Sequence, residues 1–175
     1  AILDFHLVTK WKTAGDSITA ALRLARPNSK NILIVGAGTV GHSLYDAYSS
    51  TFPNAIFQVW NRTHEKAISM AQGKSNVSAT DNLETAVRNA DIISCATMCK
   101  EPIINGDWLM PGQHIDLIGA YRPDMREVDD LSLRRSSIFV DSYDTTLEHI
   151  GELKIPLDQK VISEADILAD FYQIN

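Results

Sequence analysis

Strand-like and helix-like runs alternate along the chain, with a glycine-rich turn between the first strand and its helix. This predicts an α/β fold of Rossmann type, a doubly wound, mainly parallel six-stranded sheet with flanking helices. Three observations carry the expectation. Asn31-Ile-Leu-Ile-Val35 is an apolar, largely β-branched run of the length of a strand buried on both faces. Gly36-Ala-Gly-Thr-Val-Gly41 follows at once with the spacing G-x-G-x-x-G and opens a helix-like stretch to about Ser49. Ala55-Ile-Phe-Gln-Val-Trp60 then provides the second strand of a βαβ unit.

Each element has a local reason. Ser17 to Ala25 reads as the end of a helix, stopped by Pro27 and Asn28. After the first two strands, Thr63 caps a helix that closes at Gly73. Asn76 to Thr80 is a short third strand, and Asp81 starts another capped helix. Asp91 to Ala96 is a fourth strand and His114 to Ile118 a fifth. Val128 to Arg135 is helical, Ser137 to Val140 is a sixth strand, and Glu164 to Tyr172 reads as a helix. The expected order is 3-2-1-4-5-6, with ligand outside the carboxyl ends of the strands. The domain reading places a lead-in helical segment at 1–30, the nucleotide-binding domain at 31–155 and a C-terminal helical segment at 156–175.

The turn itself implies a dinucleotide. Gly36 supplies a residue free of Cβ constraint, Gly38 lets backbone approach a pyrophosphate, and Gly41 lets the helix pack near the strand. The N–H groups around Thr39 and Val40 face the phosphates with the positive end of the helix dipole behind them. About twenty residues past Gly41, where an NAD site carries Asp or Glu, stands Asn61, followed by Arg62 and Thr63. A carboxylate there would repel a 2′-phosphate; Asn61 does not, Arg62 offers a planar cation and Thr63 a hydroxyl. Charge-assisted hydrogen bonds of about 1.5–3 kcal/mol each favour NADPH on this reading, NADH remaining possible. The other reading makes Thr63 a helix cap and Arg62 a solvated charge.

Composition excludes several classes. The net charge of −6 without a basic run argues against nucleic acid. No apolar stretch approaches the ~20 residues of a membrane span, and no signal peptide is visible. Cys95 and Cys99 read as reduced thiols rather than a zinc site or a disulfide, and no metal is expected. A soluble, cytoplasmic protein is expected. Because the chain begins at Ala1, a piece of a longer polypeptide is expected too.

Several ordered segments resemble the ornithine cyclodeaminase/mu-crystallin family over nearly the whole length. They are Leu7-Val-Thr-Lys-Trp-Lys-Thr-Ala-Gly-Asp-Ser17, Val59-Trp-Asn-Arg-Thr63, Ala90 to Thr97 with Lys100-Glu-Pro-Ile, Pro111 to Ala120, and Arg122-Pro-Asp-Met-Arg-Glu-Val-Asp-Asp130. The resemblance implies a homodimer built through a domain absent from this chain, with most groups that hold the substrate carboxylate upstream of Ala1. It also implies that Lys12 matches the family's Arg/Lys near cofactor phosphates and substrate carboxylate; otherwise Lys12 is a surface lysine.

The family's chemistry divides at one position. Cyclodeaminases carry an acid/base aspartate where this chain has Tyr121. A phenol with pKa of about 10 is a poor base, so the change counts against deamination. Reduction of a ring imine that arrives protonated asks mainly for positioning and exclusion of water. Residues 119–130 look more like mu-crystallin and the bacterial Δ1-pyrroline-2-carboxylate reductases. The resemblance thus implies NADPH-dependent reduction of a cyclic imine carboxylate to proline or a relative. Its alternatives are an NAD-dependent ornithine cyclodeaminase or amino-acid dehydrogenase acting on an amino acid, and a non-enzymatic NADPH-binding protein. Tyr121 is a substrate contact, a proton donor or a plain wall residue. Thr97, ending the fourth strand, contacts the nicotinamide side or caps its loop, and Ile118 passes its backbone along the nicotinamide or is core. Arg122, Arg126 and Glu127 are expected to hold their loop by local salt bridges, and the histidines, His6 among them, form no metal or triad constellation.

Overall fold

The computed structural model describes residues 5–174, and the side chains of 8–174. His6, as a side chain, and residues 1–4 and 175 lie outside that description. The chain divides into two units, one holding the residues up to Ala96 with Met110–Ile118, the other Thr97–Leu109 and the chain from Gly119 onward.

The first unit begins with α1 (Phe5–Leu24) and continues through β1 (Asn31–Val35), α2 (Thr39–Thr51), β2 (Ile56–Trp60), α3 (His64–Ala71), β3 (Val77–Thr80), α4 (Leu83–Asn89), β4 (Ile92–Cys95) and β5 (His114–Leu117). Its five strands are all parallel in the order β3-β2-β1-β4-β5. Central β1 is buried on both faces, so Ile32, Leu33, Ile34 and Val35 form an unbroken apolar run rather than an alternating one. Leu44 and Tyr48 of α2, Phe57 and Val59 of β2, Met70 of α3 and Ile92 of β4 complete the core, with Ala14 and Ala21 of α1. Strand order reverses between β1 and β4, which puts the expected ligand crevice at their carboxyl ends.

Asp91 ties the opposite ends of these two strands. Its carboxylate accepts the N–H groups of Lys30 and Asn31, both at 2.9 Å, and pairs with Arg26 at 2.7 Å. Asp91→Ala is expected to cost about 1–3 kcal/mol, read as a lower urea midpoint; an unchanged midpoint would show that water replaces the carboxylate without loss.

The second unit contains a 3₁₀ turn (Gly106–Trp108), α5 (Asp130–Arg135), β6 (Ile138–Val140), α6 (Tyr143–Thr146), α7 (Gly151–Asp158), a second 3₁₀ turn (Glu164–Asp166) and β7 (Ile167–Asp170). Here two expectations are corrected. The main sheet has five strands, not six, because β6 pairs in parallel with β7 as a separate two-stranded sheet. The C-terminal helical reading fails over the same residues. Asp166 accepts the N–H and hydroxyl of Ser163, at 2.7 and 2.9 Å, and ends its helical signal in one 3₁₀ turn. Ile167 to Asp170 then follow as a strand, with Ile167 and Asp170 buried and Leu168 exposed where the register shifts.

Helix α1 shares the core of the strand unit instead of standing apart from it. Within that unit, α4 is capped by Asn82, whose side chain accepts from Thr85 N–H.

Candidate functional site

The turn between β1 and α2 has the geometry its glycines imply. Gly36 has φ of 114°, a backbone closed to side chains with a Cβ. A Cβ on Gly41 would collide with the Gly36 carbonyl, so the first turn of α2 lies against the end of β1. A Cβ on Gly38 meets nothing within 4 Å; the space beside it is open. Gly38 and Thr39 are exposed and Val40 half-buried, leaving the start of a 13-residue helix open to a ligand. That cradle, with no side-chain cap occupying it, fits a pyrophosphate.

Asn61 has a role beyond the one expected of it. Its carbonyl oxygen accepts Ala37 N–H at 3.0 Å and its amide donates to Thr63 O at 2.9 Å, while Gly36 N–H donates to Trp60 O at 2.8 Å. The end of β2 thus holds the glycine turn in shape. Arg62 is exposed with no ion-pair partner among the described residues. Thr63 takes the N-cap position of α3, yet its hydroxyl makes no capping bond. Ile118 is half-buried and donates its N–H to Cys95 O at 3.0 Å. Lys12 is exposed on α1 and paired with Asp16 at 2.5 Å.

In the second unit, Tyr121 is 63% exposed, and Arg122 and Arg126 pair with Asp124 and Asp130 at 3.1 and 2.7 Å. Glu127 turns inward. It is fully buried and accepts Thr97 N–H at 2.7 Å, the Thr97 hydroxyl at 2.7 Å and Gly119 N–H at 2.8 Å. Glu152 in turn accepts the N–H groups of Glu127 and Val128 at 2.6 and 3.2 Å. Burial pushes the Glu152 carboxyl up to about 7.

A second buried polar cluster, in the first unit, was also not foreseen. Asp116 of β5 accepts the hydroxyls of Ser17 on α1 and, at 3.0 Å, Ser94 on β4. Tyr48 on α2 lies 3.0 Å from Ser17, whose proton is committed to Asp116, so the phenol donates. A carboxylate inside the apolar run Ile115-Asp116-Leu117 was the available signal; its partners came from three distant segments. Among the described residues no three His, Cys, Asp or Glu side chains converge as a metal site, and no helix is long and apolar enough to cross a membrane. Cys95 is a buried thiol and Cys99 a half-buried one, neither in a disulfide.

The sequence pattern of the ornithine cyclodeaminase/mu-crystallin family matches residues 1–174. A Δ1-pyrroline-2-carboxylate reductase of Paracoccus denitrificans is 46% identical over 99% of this chain and 57% of its own length. The ketimine reductase mu-crystallin of Mus musculus is 35% identical over 99% of this chain and 54% of its own. The solved structure of Thermococcus litoralis Δ1-pyrroline-2-carboxylate reductase, in complex with NADH and L-proline, superimposes with a TM-score of 0.88 at 29% identity, covering 94% of this chain and 52% of that one. The chain spans just over half the length of these relatives.

Proposed function

This chain belongs to the ornithine cyclodeaminase/mu-crystallin family, and on that premise we propose that the full-length protein reduces a cyclic imine carboxylate, Δ1-pyrroline-2-carboxylate or a similar ketimine, with NADPH. The observation that carries the reading is Tyr121, standing where the family's cyclodeaminases have their acid/base aspartate, in a chain 46% identical to a pyrroline-2-carboxylate reductase. The reduced nicotinamide, when bound, supplies the hydride. The chain's own groups bind and orient. The N–H groups at Gly38, Thr39 and Val40 meet the pyrophosphate, with Gly36 and Gly41 shaping the turn, and Thr97 and Ile118 border the nicotinamide side. Lys12 serves an anionic group of substrate or cofactor, and Tyr121 serves the substrate.

The test is direct. Full-length protein mixed with NADPH and Δ1-pyrroline-2-carboxylate is expected to lose nicotinamide absorbance and yield proline. Bound NADPH without oxidation would overturn this substrate and move the reading toward a non-enzymatic role; ammonia release from ornithine with NAD would establish the cyclodeaminase instead. We further take the working form to be a cytoplasmic homodimer, which sedimentation of the full-length protein and its location in fractionated cells would check.

The choice of NADPH rests on Arg62 and Thr63, an uncommitted cation and a hydroxyl not used in capping, beside a neutral Asn61. Arg62→Gln is expected to weaken NADPH binding by roughly tenfold to hundredfold, the equivalent of one charge-assisted hydrogen bond, and NADH binding far less. Equal losses for the two nucleotides, or tighter wild-type binding of NADH, would remove the assignment.

A further inference from the structure

Thr97 is the second residue after β4 and Gly119 the second after β5, and Glu127 joins them. The join is specific in its chemistry. Three groups that face the carboxylate are donors, two backbone N–H groups and one hydroxyl, with Thr97 bonded to one oxygen and Gly119 to the other. An ionised carboxylate is acceptor-only, so it satisfies them together; an amide would turn an N–H₂ toward a donor on one side. Space is equally fixed. A Cβ on Gly119 would collide with the Thr97 backbone and the Glu127 carboxylate, so the two segments lie in direct contact. The loop carrying Glu127 is braced by Glu152, which takes two consecutive N–H groups, and by Cys99, whose thiol donates to Arg126 O at 3.0 Å. A surface turn needs no such construction. Ordering a fully buried carboxylate costs desolvation that only well-made hydrogen bonds offset.

Ligands of parallel α/β sheets lie beyond the carboxyl ends of the strands. We propose that Glu127 is a positioning residue of the reductase centre: by latching Thr97 to Gly119 it fixes the segments leaving β4 and β5, against which nicotinamide and imine must meet for hydride transfer. The inference rests on the reductase reading above. Hydride transfer is steep in geometry, and a misplacement of about 1 Å costs on the order of a hundredfold in rate. The phosphate turn lies elsewhere in the sequence, at residues 36–41, so loss of the latch separates turnover from nucleotide affinity.

The experiment uses full-length wild type, Glu127→Gln and Thr97→Val with NADPH and Δ1-pyrroline-2-carboxylate. For Glu127→Gln, kcat is expected to fall roughly tenfold to hundredfold while the Kd for NADPH stays within about threefold. The kinetic isotope effect on kcat with 4-deuterated NADPH should rise, as hydride transfer becomes rate-limiting. Thr97→Val deletes the hydroxyl arm, and with it the 3.0 Å contact to the Cys99 thiol, while the Thr97 N–H bond to Glu127 stays; it should show the same pattern at smaller amplitude, which keeps the proposal testable if the glutamine variant does not fold. Unchanged kcat and isotope effect in the variants would overturn the latch while leaving the reductase reading intact. A parallel fall of kcat, NADPH affinity and melting temperature in both variants would also overturn it, since a purely structural role predicts that result. A wild type that binds NADPH but reduces no cyclic imine would overturn the reading and the proposal with it.

Discussion

Gly41→Ala is expected to lower the melting temperature by roughly 6–12 °C and to weaken nucleotide binding at least a hundredfold, whereas Gly38→Ala is expected to do only the second. The two glycines stand in one turn but are constrained by different things. At Gly41 a methyl group would overlap the Gly36 carbonyl, backbone that cannot step aside without opening the junction of β1 and α2. Overpacking of that kind costs about 3 kcal/mol, and each kcal/mol in a chain of this size is worth roughly 2–4 °C. At Gly38 the protein itself leaves the space empty, and φ of −91° with ψ of −169° is backbone that alanine adopts freely. What a methyl group there would obstruct is the approach of a ligand. Calorimetry and nucleotide titration on both variants decide the matter. If Gly38→Ala binds NADPH like wild type, the pyrophosphate does not sit on this turn.

That contrast shows what the sequence made legible. The spacing of Gly36, Gly38 and Gly41 after an apolar run is a local pattern, and local patterns specify the strand, the turn and the helix with it. Arg62 and Thr63 were singled out by counting along the same local unit. Glu127 and Asp116 were not, because what makes them matter is distant in sequence. Glu127 meets Thr97 thirty residues away, and Asp116 meets Ser17 ninety-nine residues away. The charge-rich run from Arg122 to Asp130 read as a loop held by local salt bridges, and for Arg122 and Arg126 it is; only the fold reveals that Glu127 turns inward. The failure at the C-terminus had another cause. Glu164, Ala165 and Leu168 favour helix, but β6 offered an unpaired edge, and pairing with it outweighs a propensity worth a few tenths of a kcal/mol per residue.

Asp116→Asn is expected to gain about 3 kcal/mol of stability relative to wild type as the pH is raised from 4 to 7. Burial pushes the Asp116 carboxyl from 3.8 up to about 6, the hydroxyls of Ser17 and Ser94 offsetting part of that shift. Between those two values the folded chain holds a proton that the unfolded chain has released, so raising the pH draws the equilibrium toward unfolding. The slope is about 1.4 kcal/mol per pH unit over roughly two units, and above pH 6 the loss is complete. Asparagine keeps the shape and an oxygen to accept from both serines but has no proton to lose, so it escapes this penalty. Other groups titrate in the same window. Burial lowers His114 to about 4, so its stabilising contribution is lost as pH falls from 6.5, while burial raises Glu152 to about 7 from 4.5, favouring the fold at the acid end. These contributions are common to both proteins and cancel in the difference. Urea unfolding of the pair at several pH values therefore isolates one carboxyl. A difference that stays constant with pH would mean that Asp116 is ionised in the core throughout, with the serine hydroxyls and the Tyr48 phenol behind them sufficient to hold a buried negative charge.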